Sequence, residues 1–176
     1  MPFVQIVHFP VSQATANQDL FKAPLEAIKA AEGHTSSYYG VQVEDADRAY
    51  FVSVWESYEH HQKLVNDPSY STLVEGLRAA SIDSNYERHQ IKISGDVLKA
   101  LSAPAVEVVL FTLQPGGSAE KYEALMGDLA KGLDKADGEH PPCAWAQTVE
   151  DKTKYQLIVG WDTVEVRITR GFLVFV

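Results

Sequence analysis

"VEDADRAYFVSVWESYE" (residues 43–59) and "VEDKTKYQLIVGWDTVE" (residues 149–165) align without a gap at a constant offset of 106. Val43/Val149, Glu44/Glu150, Asp45/Asp151, Trp55/Trp161 and Glu59/Glu165 are identical pairs, and Glu56/Asp162 and Ser57/Thr163 are conservative ones. Upstream, "VQIVHF" (4–9) matches "VEVVLF" (106–111) at an offset of 102. Self-similarity over this span identifies two copies of one structural unit. The boundaries read from the sequence are 1–95 for the first repeat, 96–104 for a linker and 105–176 for the second repeat.

Each copy carries the same order of elements. "FVQIVHF" and "VEVVLFTL" are rich in β-branched and aromatic residues and read as strands. A polar break leads in each to a helical stretch. Its apolar stripe is Leu20, Pro24/Leu25, Ile28 and Ala31 in the first copy, and Tyr122, Leu125/Met126, Leu129 and Leu133 in the second. Two further strands follow, joined by the tight turns "DADR" and "DKTK". Ser57 and Thr163 then occupy the N-cap position of a helix, with an acid two residues on to favour its positive end. "SNYERHQIKIS" closes the first copy as a fourth strand. The order β-α-β-β-α-β is the ferredoxin-like arrangement. Both alternating faces of the first strand are apolar, so helices cover one face and a second sheet is expected to cover the other. The fold class is therefore α+β: two tandem ferredoxin-like repeats with antiparallel sheets. In the second copy only "VRITRGFLVFV" follows Glu165, which leaves either a helix cut to about a turn with "FLVFV" as closing strand, or an atypical end.

Composition narrows the function. The chain has 176 residues, 45% of them apolar, and a formal charge of −9. That charge argues against nucleic acid, whose phosphates need cations, and against an anionic membrane surface. No apolar run approaches the length of a membrane span, and the N-terminus lacks the basic region of a signal peptide. With Cys143 as the single cysteine no intrachain disulfide is possible, which fits a cytoplasmic location.

The repeated V-x-x-W-[ED]-[ST]-x-E after a hairpin, with "DPSY" beyond the helix of the first copy, resembles the dimeric α/β-barrel superfamily. Within it, the antibiotic-biosynthesis-monooxygenase-like and stress-responsive A/B-barrel domains are most similar. The resemblance covers residues 3–93 and about 105–165. It implies that two such units face their antiparallel sheets in an α/β barrel, either across a homodimer or within a tandem chain, with a pocket between sheet and helices that takes a small aromatic or polyketide-like ligand. The shortened second copy, which leaves part of a sheet face thinly covered, favours a homodimer. Monooxygenase members generally work without metal or flavin, so no cofactor is expected. Cyclase-type members carry a histidine after the helix's proline, where this chain has Tyr70. First-strand Gln5 stands near an asparagine of haem-degrading relatives, but His60 and His61 do not match their ligand spacing.

Several residues are candidates for chemistry. His60 and His61 lie about 100° apart on a helix and cannot share one site, so no metal pair is expected. His61 falls on a stripe with Tyr58 and Val65, and a position inside the domain would suit an acid or base. His8 sits on the first strand with Val4 and Ile6 and has Leu110 as its second-copy equivalent, an asymmetry that suggests a role in proton transfer. Tyr39, Trp55 and Tyr70 are candidate ligand contacts, although the recurrence of Trp55 as Trp161 also suits a structural plug. Tyr38 and Tyr39 point to opposite faces, so one of them alone can line a given side. "HPPC" (140–143) and "QPGGS" (114–118) read as a loop and a glycine turn. Two classes of function follow. One is a small-molecule-binding barrel of non-catalytic or stress-response type. The other is a cofactor-independent monooxygenase or cyclase with His8 as base and Tyr39, Tyr70 or His61 as donor.

Overall fold

The computed structural model describes residues 1–11, 19–71, 74–75 and 86–169, without the side chains of 19–21, 23–24 and 167–169. The chain divides into two compact units, Met1–Gln90 and Ile91–Val176. The first repeat has strand β1 (Phe3–Pro10), helix α1 (Asp19–Lys29), strands β2 (His34–Val41) and β3 (Arg48–Trp55), helix α2 (Tyr58–Val65) and strand β4 (Glu87–Lys92). Its sheet has the order β2-β3-β1-β4, with β1 and β2 antiparallel to β3. The second repeat has helix α3 (Val97–Leu101), strand β5 (Ala105–Thr112), helix α4 (Ala119–Leu133), strands β6 (Ala144–Gln147) and β7 (Lys154–Trp161), and helix α5 (Val164–Thr169). Its sheet, β5-β7-β6, repeats the first three positions of the other. The fold is the expected α+β pair of ferredoxin-like repeats. The stretch "FLVFV", one of whose readings was a closing strand, lies outside the described residues, as do the side chains of the stripe residues Leu20 and Pro24.

The joint from β3 to α2 recurs from β7 to α5 almost bond for bond. Gly33 and Gly138 both have φ in the left-handed region, +74° and +81°. Their carbonyls accept the amides of Glu56 and Asp162, each at 2.8 Å. Ser57 Oγ accepts from the His60 amide and Thr163 Oγ1 from the Val166 amide, so both hydroxyls cap their helices as expected. A Cβ on Gly33 would meet His60, and one on Gly138 would meet Val166, the residue at the same place in the repeat. The hairpin turns also correspond: Arg48 and Lys154 amides donate to the carbonyls of Asp45 and Asp151 at 3.0 Å.

Strand alternation sorts the first sheet into two faces. Cross-strand rows Phe3–Trp55–His34, Gln5–Ser53–Ser37 and Val7–Phe51–Tyr39 share one face, and α2 covers it, since His61 touches both Phe3 and Trp55. Val4–Val54, Ile6–Val52–Tyr38 and His8–Tyr50–Gly40 share the other. In the second repeat Val109, Met126, Leu133, Cys143, Leu157, Val159 and Trp161 form one core cluster. Leu125, which helical periodicity puts on the same stripe, is 64% exposed: it falls at the stripe's edge, and its neighbour Met126 takes the inward place.

The stretch 96–104 carries α3, whose Val97, Ala100 and Leu101 are buried. It packs on β7, and Gly160 is the point of closest approach. A Cβ there would lie 2.7 Å from both the Ala100 carbonyl oxygen and Ala103 Cβ. In the first repeat the equivalent residue is Val54, buried with its side chain intact. Gly160→Ala is accordingly expected to destabilise the fold by about 1–3 kcal/mol through overpacking. Gly132→Ala, in α4 with no atom within 4 Å of the new Cβ, should stabilise it by about 0.5–1 kcal/mol through helix propensity. Urea unfolding of the two variants checks the opposite signs.

Candidate functional site

α2 carries His61 onto the covered face of the first sheet, where it is 2% exposed. The ring lies against Phe3 and Trp55, with centroids 5.0 Å and 5.4 Å away. Its Nε2 and Gln5 Oε1 are 2.5 Å apart. An amide oxygen can only accept, so Nε2 carries the hydrogen and Nδ1 keeps its lone pair. Among the described residues nothing donates to Nδ1, which is fully buried. Burial, with a smaller contribution from the charge of Arg88, lowers the His61 pKa to about 4. The imidazole is therefore neutral at physiological pH.

Neighbouring polar groups on this face are satisfied locally. Trp55 Nε1–H donates to Ser53 Oγ at 3.0 Å, and His34 Nε2 pairs with Ser37 Oγ at 2.8 Å. Tyr39 sits one row beyond Gln5–Ser53–Ser37, opposite Phe51, and burial raises its phenol pKa. Gln5, Val7 and Tyr39 are half-buried, whereas Phe3 and Trp55 at the other end of the face are fully buried.

His8 is elsewhere. It lies on the opposite face of the same sheet, stacked on Tyr50 with centroids 4.4 Å apart and planes at 15°. Gln42 Oε1 is 3.2 Å from Nε2, and Arg48 Nη2 is 3.0 Å from Nδ1. Burial and then the guanidinium charge lower its pKa. The sheet thus separates the two candidate histidines, and gathers His61, Trp55 and Tyr39 on one side. Tyr70 lies in the turn after α2, its amide donating to the Asp67 carbonyl at 3.0 Å. Sequence reasoning missed Ser53, His34 and Arg48. Of these, Arg48 had a legible signal, because a cation recurs at Lys154 in the other hairpin.

The second repeat has no copy of the His61 arrangement among its described residues. Trp161 Nε1–H donates to Glu107 Oε2 at 2.9 Å, and Glu107 is the repeat equivalent of Gln5. Leu110 replaces His8, and Gln156, in place of Tyr50, donates to the Val109 carbonyl. His/Cys/Asp/Glu groupings able to hold a metal are absent among the described residues, and no helix there is long and apolar enough to cross a membrane.

A buried acid stands apart from these residues. Both oxygens of Glu139, in the second repeat, are buried without a hydrogen-bond partner among the described residues. Burial, then the Asp134 carboxylate, pushes its pKa up to about 7, against the weaker pull of His140 and Lys99.

No protein-family model matches the chain, and no curated protein sequence matches it. Solved structures do. An anthrone oxidase-like protein superposes with a TM-score of 0.71 over 98% of this chain and 77% of its own, at 13% identity. A candidate monooxygenase from Fusobacterium nucleatum gives 0.68 over 96% and 79%, at 9% identity. One from Lactobacillus acidophilus gives 0.66 over 98% and 82%, at 10% identity. Likeness at such identities establishes architecture and leaves chemistry open. The chain shares the fold of these solved structures, the α+β architecture of two ferredoxin-like repeats that its repeated motif implied.

The two perturbed groups make opposite demands on pH. His61 is held neutral, so its contribution to stability is present above pH 6.5, the ordinary value, and is lost as pH falls towards about 4. Glu139 is held protonated, so its contribution is present below 4.5 and is lost as pH rises through about 7. His61→Leu should remove roughly 2 kcal/mol of acid sensitivity between those limits, and Glu139→Gln should remove the alkaline loss. Urea unfolding of each variant beside the native protein at pH 4.5, 6 and 8 measures both slopes.

Proposed function

We propose that this protein binds a small phenolic aromatic or polyketide-like compound on the α2-covered face of its first repeat. The observation that carries this reading is the His61 imidazole, fixed in one tautomer by Gln5, with a buried Nδ1 lone pair and no donor to it among the described residues. Leaving such an acceptor unpaired costs about 1–3 kcal/mol, and a ligand hydroxyl donating to it recovers that cost. Trp55 and Phe3 supply the aromatic wall, and the half-buried row of Val7 and Tyr39 supplies the approach.

Magnitude decides between acceptor and base. A group with a pKa of about 4 faces a phenol of about 10. Full proton transfer across that gap costs on the order of 8 kcal/mol, whereas accepting a hydrogen bond costs nothing of the kind. His61 therefore serves binding better than proton removal, and a small-molecule-binding role is the primary reading. Oxygenase chemistry is the second, favoured by the whole-chain fold likeness to proteins named for it. Its substrate would have to be acidic enough to ionise readily, with molecular oxygen as oxidant converting a CH2 to a carbonyl and releasing water.

One compound class tests both. 1,8-Dihydroxyanthrone carries phenolic hydroxyls beside an oxidisable CH2. The binding reading expects saturable binding by calorimetry, weakened about tenfold or more by His61→Leu, with oxygen uptake no faster than in protein-free buffer. Uptake that is accelerated by the native protein and lost in His61→Leu would replace it with the oxygenase reading. No saturable binding to the native protein overturns both.

A further inference from the structure

The hairpin cation of the first repeat behaves unlike its copy. In both hairpins the aspartate at the turn accepts an amide two residues on: Asp45 Oδ1 from Asp47, Asp151 Oδ1 from Thr153. In the second repeat the cation, Lys154, stays with that aspartate, 4.0 Å from Asp151 Oδ2. In the first, Arg48 makes no ion pair among the described residues and turns over the sheet onto His8. Its Nε lies 3.1 Å from His8 Nε2 and its Nη2 lies 3.0 Å from Nδ1.

That contact cannot be fully satisfied. A neutral imidazole has one lone pair and one N–H. If Nε2–H donates to Gln42 Oε1, then Arg48 Nη2–H donates into Nδ1 and Arg48 Nε–H faces another N–H. The Nε/Nη2 edge is the one a carboxylate grips with two parallel hydrogen bonds. Here it is half spent on a poor acceptor, above the stacked rings of His8 and Tyr50. Glu87, Asp45 and Glu44 act on the cluster through their charge, but none is in ion-pair contact with Arg48. The second repeat has dismantled the arrangement, with Leu110, Lys154 and Gln156 at the three places.

We infer that Arg48, His8 and Tyr50 form a binding site for the carboxylate of a small organic acid, on the sheet face opposite His61. The carboxylate takes the Nε/Nη2 edge of Arg48 in place of the imidazole, and His8 is freed to donate to it or to stack. Because the sheet separates the two sites, this inference stands or falls independently of the His61 reading.

Benzoate and its neutral isostere benzamide are the probes, with the whole chain observed by NMR of its histidine and tyrosine rings. Benzoate should shift the His8 and Tyr50 signals saturably in the millimolar range, raise the His8 pKa, and leave the His61 signals in place. Benzamide should do none of this. Arg48→Lys, which installs the second repeat's residue, should weaken benzoate about tenfold or more, and Arg48→Gln should abolish the response. Equal shifts with both probes, unchanged shifts in Arg48→Gln, or no saturable shift with benzoate would each overturn the assignment. Unchanged His61 and Tyr155 ring signals in unliganded Arg48→Lys, one on the opposite sheet face and one in the other repeat, serve as the control for folding.

Discussion

The indole N–H of a buried tryptophan has to find an acceptor, and each repeat is arranged around how it does so. Trp55 and Trp161 are 1% and 0% exposed at the strand-to-helix joint, where an unpaired donor costs about 1–3 kcal/mol. In the second repeat the acceptor is Glu107, on the neighbouring strand. In the first it is Ser53, two residues back on the same strand. That small change releases the position equivalent to Glu107, and the released residue, Gln5, reaches His61 instead. The same architectural demand therefore yields a closed joint in one copy and a polarised imidazole in the other.

Much of this was legible because it is local. The capping hydroxyls and the hairpin aspartates are fixed by bonds spanning a few residues, and the tryptophan holds the same place beside them in both copies, so a gapless alignment of two segments exposes all three. Strand alternation likewise places Tyr38 and Tyr39 on opposite faces from sequence alone. What the sequence left open was pairing over distance. Gln5 and His61 are 56 residues apart and Arg48 and His8 are 40 apart, and no spacing rule selects those partners. His8 and His61 were grouped as parts of one chemistry, yet one strand's parity decides that they occupy different sides of the sheet. Leu125 shows the same limit within a helix. Periodicity names a stripe, and packing chooses which of two adjacent residues fills it.

Duplication lets the two copies treat equivalent polar positions differently. A buried polar residue is tolerated when it is satisfied within the fold or when a ligand satisfies it. In the second copy Glu107 accepts from the indole and Gln156 Nε2 donates to a strand carbonyl, although Gln156 Oε1 has no partner among the described residues, and Leu110 removes the need for a partner at the third place. The first copy retains His61 with an unbonded lone pair and Arg48 with two donors on a ring that offers one lone pair, both of which are costs to folding alone. At a given place in the frame, two copies let one residue be satisfied by packing while its counterpart keeps an unbonded acceptor, as Glu107 and the Gln5–His61 pair do, and an unbonded acceptor on the face of a sheet is what a ligand recognises.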